Sequence, residues 1–370
     1  MSANSELRAL TGARGLAAWL VVGFHLRGSI AGLSAPVLAV LDKGYLAVDF
    51  FFLLSGFVIW LSYADRLRAD GVRGIGSFLW RRLARIWPLH LAMLAAALAL
   101  MGLLAATGRT DPIRFPLAEL PLHLMLVQNW GITDHLSWND PAWSISTEFA
   151  AYLAFPWLVL AIDWRRVSSA VLMSALMTIA LALHLALAWQ GATTMGADIP
   201  RLGLLRCLAE FAMGTMIAAL WLRWRGHRPA AWRAGALFAA LAATWALGLP
   251  ETLAIPLAFT ALLLALALSA GTPGHVLEGR AVHYLGTISY ATYLVHFLLF
   301  YAFKLALVRD AHAVPPALIA LYLALVFAAS MLLHHLVERP AQRWLNALPR
   351  RHGPLTPTGA PRPAPPARPR

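Results

Sequence analysis

Cysteine is almost absent: Cys207 stands alone in 370 residues, so no intrachain disulfide can form. In its apolar surroundings it reads as a small packing residue. Charge is scarce too, 13% Asp, Glu, Lys and Arg against roughly 25% in soluble domains. Lysine is scarcer still: Lys43 and Lys304 are the two lysines among 30 basic residues. No HxxxH, HExxH or CxxC pattern offers a metal site, and there is no P-loop or GxSxG turn. These absences exclude a secreted disulfide scaffold and an ordinary cytosolic enzyme.

What is abundant is apolar surface. Sixty per cent of the residues are hydrophobic and 15 are Trp, more than one water-soluble core of this size would use, and far too many for a disordered chain. The net charge of +13 does not point to nucleic acid. The arginines fall in short clusters between apolar stretches, the pattern of membrane-helix ends.

A hydrocarbon core needs about 20 apolar residues per helix. That ruler gives ten spans, near 9–27, 46–64, 83–106, 143–162, 168–189, 203–222, 231–248, 254–270, 285–307 and 315–337. The first carries Arg14 and His25 and lacks a small-residue cleavage site, so it reads as a retained span. With the N-terminus inside, 20 basic residues fall in inner segments and 6 in outer loops. The expectation is an all-α polytopic membrane protein, a bundle of about ten transmembrane helices, N-in and C-in. Residues 117–130 are apolar but short and hold Glu119, Pro121 and His123, which suits an interfacial or re-entrant piece of an outer loop spanning 108–142. Residues 1–345 form the membrane domain. The Pro- and Arg-rich 346–370 read as a disordered cytoplasmic tail, either passive or a polybasic strip on anionic lipid.

Charge at membrane depth costs at least about 2.5–3.5 kcal/mol per residue on insertion scales, so ionisable groups inside spans are functional candidates. Arg14 and His25 are eleven residues apart, three turns plus about 20°, hence on one face and about 16 Å apart. A cation at the inner mouth and an imidazole deeper in suit a ligand with an anionic head and a long arm, of about the reach of the phosphopantetheine arm of coenzyme A. Arg82 and Arg85 share a face of the third span, and guanidinium groups bind phosphate bidentately. Positive-inside anchoring is their other reading. Asp49 and Glu148 enter the second and fourth spans from outside, and a carboxylate beside His25 would orient it as a base. An ion pair with an arginine is the other reading of Glu148, and interfacial solvation that of Asp49. Ser55, Trp143 and Ser146 lie near these carboxylates. Tyr290, Tyr293 and His296 form a polar stripe, which lines a tunnel or serves as interhelical hydrogen-bond glue. Loop residues Trp130 and Trp138 suit either stacking on sugar rings or an interface. His184, His334 and His335 read as packing residues.

Together these pieces resemble the acyltransferase-3 family of bacterial multipass O-acetylases. Arg14 and His25 match its Arg-x10-His, Phe51 to Phe57 its FFxLSGF, and Arg82, Arg85 and Pro88 its RxxR…P. Trp143 to Glu148 match W-S-x-S-x-E; Ile288 to His296 and Glu338-Arg339-Pro340 are also similar. One departure is Trp87-Pro88 with His90, where aromatic-Pro-Tyr is common; another is the lack of a fused esterase-like domain. The resemblance implies transfer of an acyl group, usually acetyl, from cytoplasmic acyl-CoA (acetyl-CoA) to a hydroxyl of a glycan or lipid-linked saccharide. The setting would be the bacterial inner membrane, with membrane lipids as partners and no nucleic acid. The donor is a substrate, and no permanently bound cofactor is implied. His25, Glu148 and Asp49 would be catalytic; Arg14, Arg82 and Arg85 would hold the donor; Ser55, Trp143, Ser146, Tyr290, Tyr293 and His296 would line the tunnel. A proton-coupled transporter of a polar glycan or solute is the alternative, and it predicts inverted repeats that the chain does not display.

Overall fold

The computed structural model describes residues 7–348. Among the described residues every regular element is helical. Apolar stretches of membrane length leave the backbone no partner but itself, and the helix satisfies every N–H and C=O within one segment. The protein is an all-α polytopic membrane protein. The helices are α1 (Arg8–Leu26), α2 (Ala35–Asp42), α3 (Ala47–Asp70), α4 (Ile75–Ala106), α5 (Leu120–Met125), α6 (Ala142–Ala161), α7 (Ser169–Trp189), α8 (Ile199–Trp224), α9 (Arg228–Ala246), α10 (Glu251–Ser269), α11 (Arg280–Leu307), α12 (Pro316–Leu333) and α13 (Arg339–Ala347).

Eight helical segments among the described residues are long and apolar enough to cross a membrane; one, Ala35–Ala106, runs through both α3 and α4, and α9 is not among the eight. The long helices overrun the expected windows. Helix α4 begins at Ile75 rather than near 83, and α3 continues to Asp70 rather than 64. Hydrophobicity marks only the buried stretch, whereas intrahelical hydrogen bonding carries on into the charged ends. Residues 117–130 hold the six-residue α5, too short to span. Asn346 and Ala347 belong to α13; from 349 on the expected tail lies outside the described residues.

Two seams of small residues set which helices touch. Gly15 of α1 lies against the backbone of Leu285 and Gly286 on α11, and a Cβ added at Gly286 would collide with the Thr11 carbonyl. Gly56 of α3 meets the Phe211 carbonyl on α8, and Gly214 meets the Leu53 carbonyl in return. Without a hydrophobic drive between helices in lipid, such backbone approach is what makes helices pack.

The basic loops gather at one end. Arg165 pairs with Asp65 at 2.6 Å, Arg223 donates to the Arg165 carbonyl at 2.9 Å, and Trp80 Nε1 donates to the Leu345 carbonyl at 2.9 Å. At the opposite end Lys43 pairs with Glu251 at 2.6 Å, Arg27 pairs with Asp42, and the Val314 N–H donates to the Ser29 carbonyl at 2.9 Å.

The loop between α4 and α6 is folded inward. Ser146 Oγ donates to the Leu126 carbonyl at 2.9 Å and accepts from the Asn129 N–H at 3.1 Å. Trp138 is fully buried against Phe115, with φ 61°, a conformation that is rare for a bulky residue.

Candidate functional site

The first cavity lies beside the arginine-rich end and has a volume of about 170 Å³. Arg14, Arg82 and Arg85 line it, with Ser55, Glu148, Ser289, Tyr290 and Tyr293. Each guanidinium is held. Arg14 donates from Nε to Ser289 Oγ (3.0 Å) and from Nη2 to the Gly286 carbonyl (2.9 Å), so the α1–α11 seam also places this cation. Arg82 donates to Tyr63 Oη at 3.0 Å. Arg85 forms an ion pair with the buried Glu338. Glu338 sits on a π-helical turn, His334–Glu338, and its other oxygen faces His334 Nδ1 at 3.1 Å. π-turns recur at functional positions. His334, read as packing, is thus tied to the arginine cluster.

The second cavity, about 210 Å³, is lined by His25 with Phe24, Tyr45, Trp143, Arg206 and Asp140. Val48 and Tyr293 line both cavities. The arginines and His25 therefore face two adjoining spaces with common walls. His25 also lines a more open groove beside Arg27, Asp42, Lys304 and His312.

The expected contact of Glu148 or Asp49 with His25 does not form. Among the described residues the polar partners of the His25 ring are the Val21 carbonyl, 3.0 Å from Nδ1, and His296 Nε2, 3.2 Å from Nδ1. Neither carboxylate orients it. Glu148 accepts from Ser55 Oγ and lines the arginine-side cavity. Trp143 lines the His25 cavity, and Glu148, five residues or about 7–8 Å further along α6, lines the arginine-side one. Asp49 is fully buried, and its Oδ1 accepts from Arg206 Nη2 at 2.6 Å and Nε at 3.2 Å. The cation beside it draws Asp49 away from His25.

Three further assignments change. Ser146 is a loop fastener, because both of its hydrogen bonds go to residues 126–129. His296 is fully buried and is the neighbour of His25 rather than an open tunnel wall. Trp138 is a core residue with no exposed face for a sugar, and Trp130 stacks on Phe149. Tyr290 and Tyr293 keep to the cavity: Tyr290 Oη donates to the Ile86 carbonyl at 2.6 Å, and Tyr293 Oη lies 2.8 Å from Ser144 Oγ.

Arg206 and Glu210 escaped the sequence reading. Both are fully buried on α8, one turn apart, with Asp49 facing them. The signal was present as two charges in an apolar run. Glu251 was missed as well. It accepts from Lys43 Nζ, Tyr45 Oη and the Met195 N–H, and so holds Tyr45 in the wall of the His25 cavity.

Outside the spans, burial pushes the Asp140 carboxyl up to about 6, opposed by the Arg114 guanidinium 3.6 Å away. Burial drives the His123 imidazole down to about 3; its Nε2 lies 3.0 Å from Ser137 Oγ. Among the described residues no cluster of His, Cys, Asp and Glu could hold a metal ion.

A helical membrane bundle that presents three arginines and a histidine to adjoining cavities has the parts of a membrane group-transfer enzyme. The chain belongs to the acyltransferase-3 family: the family model described as acyltransferase domain matches residues 7–335. It is 32% identical to acyltransferase MdmB of Streptomyces mycarofaciens, over 92% of this chain and 93% of that protein. It is 29% identical to a Komagataeibacter xylinus protein assigned by name as a membrane-bound transacylase, BcsY, over 94% of this chain and 86% of the relative. No solved structure matches. The protein is a multi-pass membrane enzyme, an O-acyltransferase.

Proposed function

We propose that the enzyme transfers an acyl group, acetyl in the first instance, from cytoplasmic acyl-CoA to a hydroxyl of a glycan or lipid-linked saccharide. The membrane is the bacterial inner membrane, with the arginine-rich end in the cytoplasm. The observation that carries this reading is the sharing of Val48 and Tyr293 by the Arg14, Arg82 and Arg85 cavity and the His25 cavity. The guanidiniums hold the phosphates of the donor, the arm passes Tyr293, and the thioester carbonyl meets the acceptor beside His25. Arg85, already paired with Glu338, contributes less to the donor than Arg14 and Arg82.

The acceptor enters from the other end, past Arg27 and Lys304. Phe24, Tyr45 and Trp143 provide flat apolar faces for a ring, and Asp140 a polar edge. His25 takes the hydroxyl proton as the oxygen bonds to the carbonyl carbon. The tetrahedral adduct collapses, the C–S bond breaks, and the imidazolium returns its proton to the leaving thiolate. The products are an ester and a free thiol.

The test uses purified protein in detergent with acetyl-CoA labelled in the acetyl group and a glycan acceptor pool. The wild type is expected to move label into an alkali-labile ester, and His25→Ala to bind CoA but lose nearly all transfer. Transport of the glycan without CoA binding would replace this reading with that of a transporter.

A further inference from the structure

The arrangement of the two buried imidazoles assigns a task to each ring nitrogen. His25 Nδ1 has two neighbours, the Val21 carbonyl at 3.0 Å and His296 Nε2 at 3.2 Å. A carbonyl oxygen only accepts, so Nδ1 of His25 carries a hydrogen. His296 Nδ1 likewise faces a carbonyl, that of Thr292 at 3.2 Å, so it too carries a hydrogen. In a neutral imidazole the remaining nitrogen is then an acceptor. Nε2 of His296 thus presents a lone pair to the Nδ1–H of His25. By elimination Nε2 of His25 is the unprotonated nitrogen, and it has no protein partner among the described residues.

The geometry points to His296 as the positioning residue of the reaction: together with the Val21 carbonyl it holds the tautomer and tilt of His25 so that His25 Nε2 is the atom that removes the acceptor proton. An imidazole here fills the place that a carboxylate takes in a Ser-His-Asp arrangement. The choice fits the surroundings. His296 is fully buried, and a neutral acceptor there avoids the cost of an unpaired buried carboxylate. When His25 Nε2 takes the hydroxyl proton, the positive charge on the ring is shared with His296 Nε2 through the Nδ1–H bond. When the thiolate leaves, the proton on His25 Nε2 returns to sulfur and both rings regain their starting tautomers. No net proton is consumed.

Two other features separate this role from packing. The His296 backbone carbonyl accepts from Tyr322 Oη at 2.9 Å, an anchor that does not depend on the side chain. The ring lines neither the arginine-side cavity nor the one around His25, so its loss does not open a wall to the donor.

This assignment rests on the acyl-transfer reading for its catalytic part, but the tautomer can be read without activity. Nitrogen NMR of purified, histidine-labelled protein, with His25→Asn identifying the resonances, is expected to show His25 protonated at Nδ1 and bare at Nε2. In His296→Leu the Val21 carbonyl alone holds that hydrogen, so the preference weakens and the ring signals broaden. In turnover, His296→Leu lowers kcat on the order of 100-fold, within the range of a misdirected base, and leaves the KM for acetyl-CoA unchanged. His296→Gln, whose side-chain oxygen can accept where Nε2 did, returns kcat to within about tenfold of wild type. A wild-type His25 protonated at Nε2 would overturn the assignment. So would Leu and Gln variants that lose kcat equally while remaining folded by thermal shift. Absence of transfer in every variant, wild type included, together with the expected tautomer, would count against the acyl-transfer reading alone.

Discussion

Nε2 of His296 lies 3.2 Å from Nδ1 of His25, across 271 residues of sequence. The contact exists because α1 and α11 touch backbone to backbone at Gly15 and Gly286. The same seam delivers Arg14 to Ser289 and the Gly286 carbonyl. One helix pair therefore positions both Arg14 and His25.

Replacing His25, the proposed base, is the simplest experiment. His25→Ala should reduce acyl transfer by about 10²–10⁴-fold, the usual worth of a positioned acid–base group, with protein level and CoA binding unchanged. The readout is labelled ester formed per unit of membrane protein.

The three arginines proposed to hold the donor should separate by their partners. Arg14→Gln and Arg82→Gln are expected to raise the KM for acetyl-CoA about tenfold, since a hydrogen bond to a charged group is worth ~1.5–3 kcal/mol. Arg85→Gln should instead lower thermal stability, because it strands the buried Glu338. The double variant Arg85→Gln, Glu338→Gln should recover much of that loss. Thermal shift in detergent checks this, and equal KM effects from all three arginines would contradict it.

Arg206 faces Asp49 with Glu210 one turn on, all fully buried. Removing the one cation of such a group typically costs ~3–5 kcal/mol, so Arg206→Met should sharply lower the yield of folded protein. Asp49→Asn combined with Arg206→Met should be milder than the sum of the two single changes. Additive losses would mean that the groups do not act as a unit.

The glycine seam gives a steric test. Gly286→Ala places a methyl against the Thr11 carbonyl, and overpacking of this kind costs typically ~1–3 kcal/mol. Thermal stability and transfer should fall together. Gly235→Ala, inside α9 where nothing lies within reach of the added methyl, should lower neither, since Ala is the better helix former.

Asp140 predicts a pH effect. Burial raises its carboxyl from 3.8 to about 6 in the folded protein. The folded state then binds the proton more tightly than the unfolded chain. Stability therefore falls as pH rises from about 4 to 6, and the full cost is present above that window. Asp140→Asn removes the cost, so the variant should gain thermal stability over wild type at pH 7 but not at pH 4. A difference independent of pH would contradict the assigned burial.

Much of this was legible in the sequence, and the rest failed for identifiable reasons. The Arg-x10-His spacing placed Arg14 and His25 on one face because helical periodicity is local. The pairing of Arg82 and Arg85 with the same cavity followed from the same rule. The partner of His25 was not legible, since it depends on which of the long helices lies against α1, and the seam of Gly15 with Gly286 decides that. Asp49 and Glu148 were assigned to His25 by depth alone. Depth counted from helix starts misleads when a loop such as 126–141 caps one helix from within. Arg206 was passed over as part of an apolar run, although its charge at that depth was the warning.

The contact between Gly15 and Gly286 also limits how the molecule can move. Two backbones that already touch cannot be squeezed closer, so no arriving ligand can draw α1 and α11 together at this level. Whatever adjustment binding requires there must come from the helices that face this pair rather than from a narrowing between them.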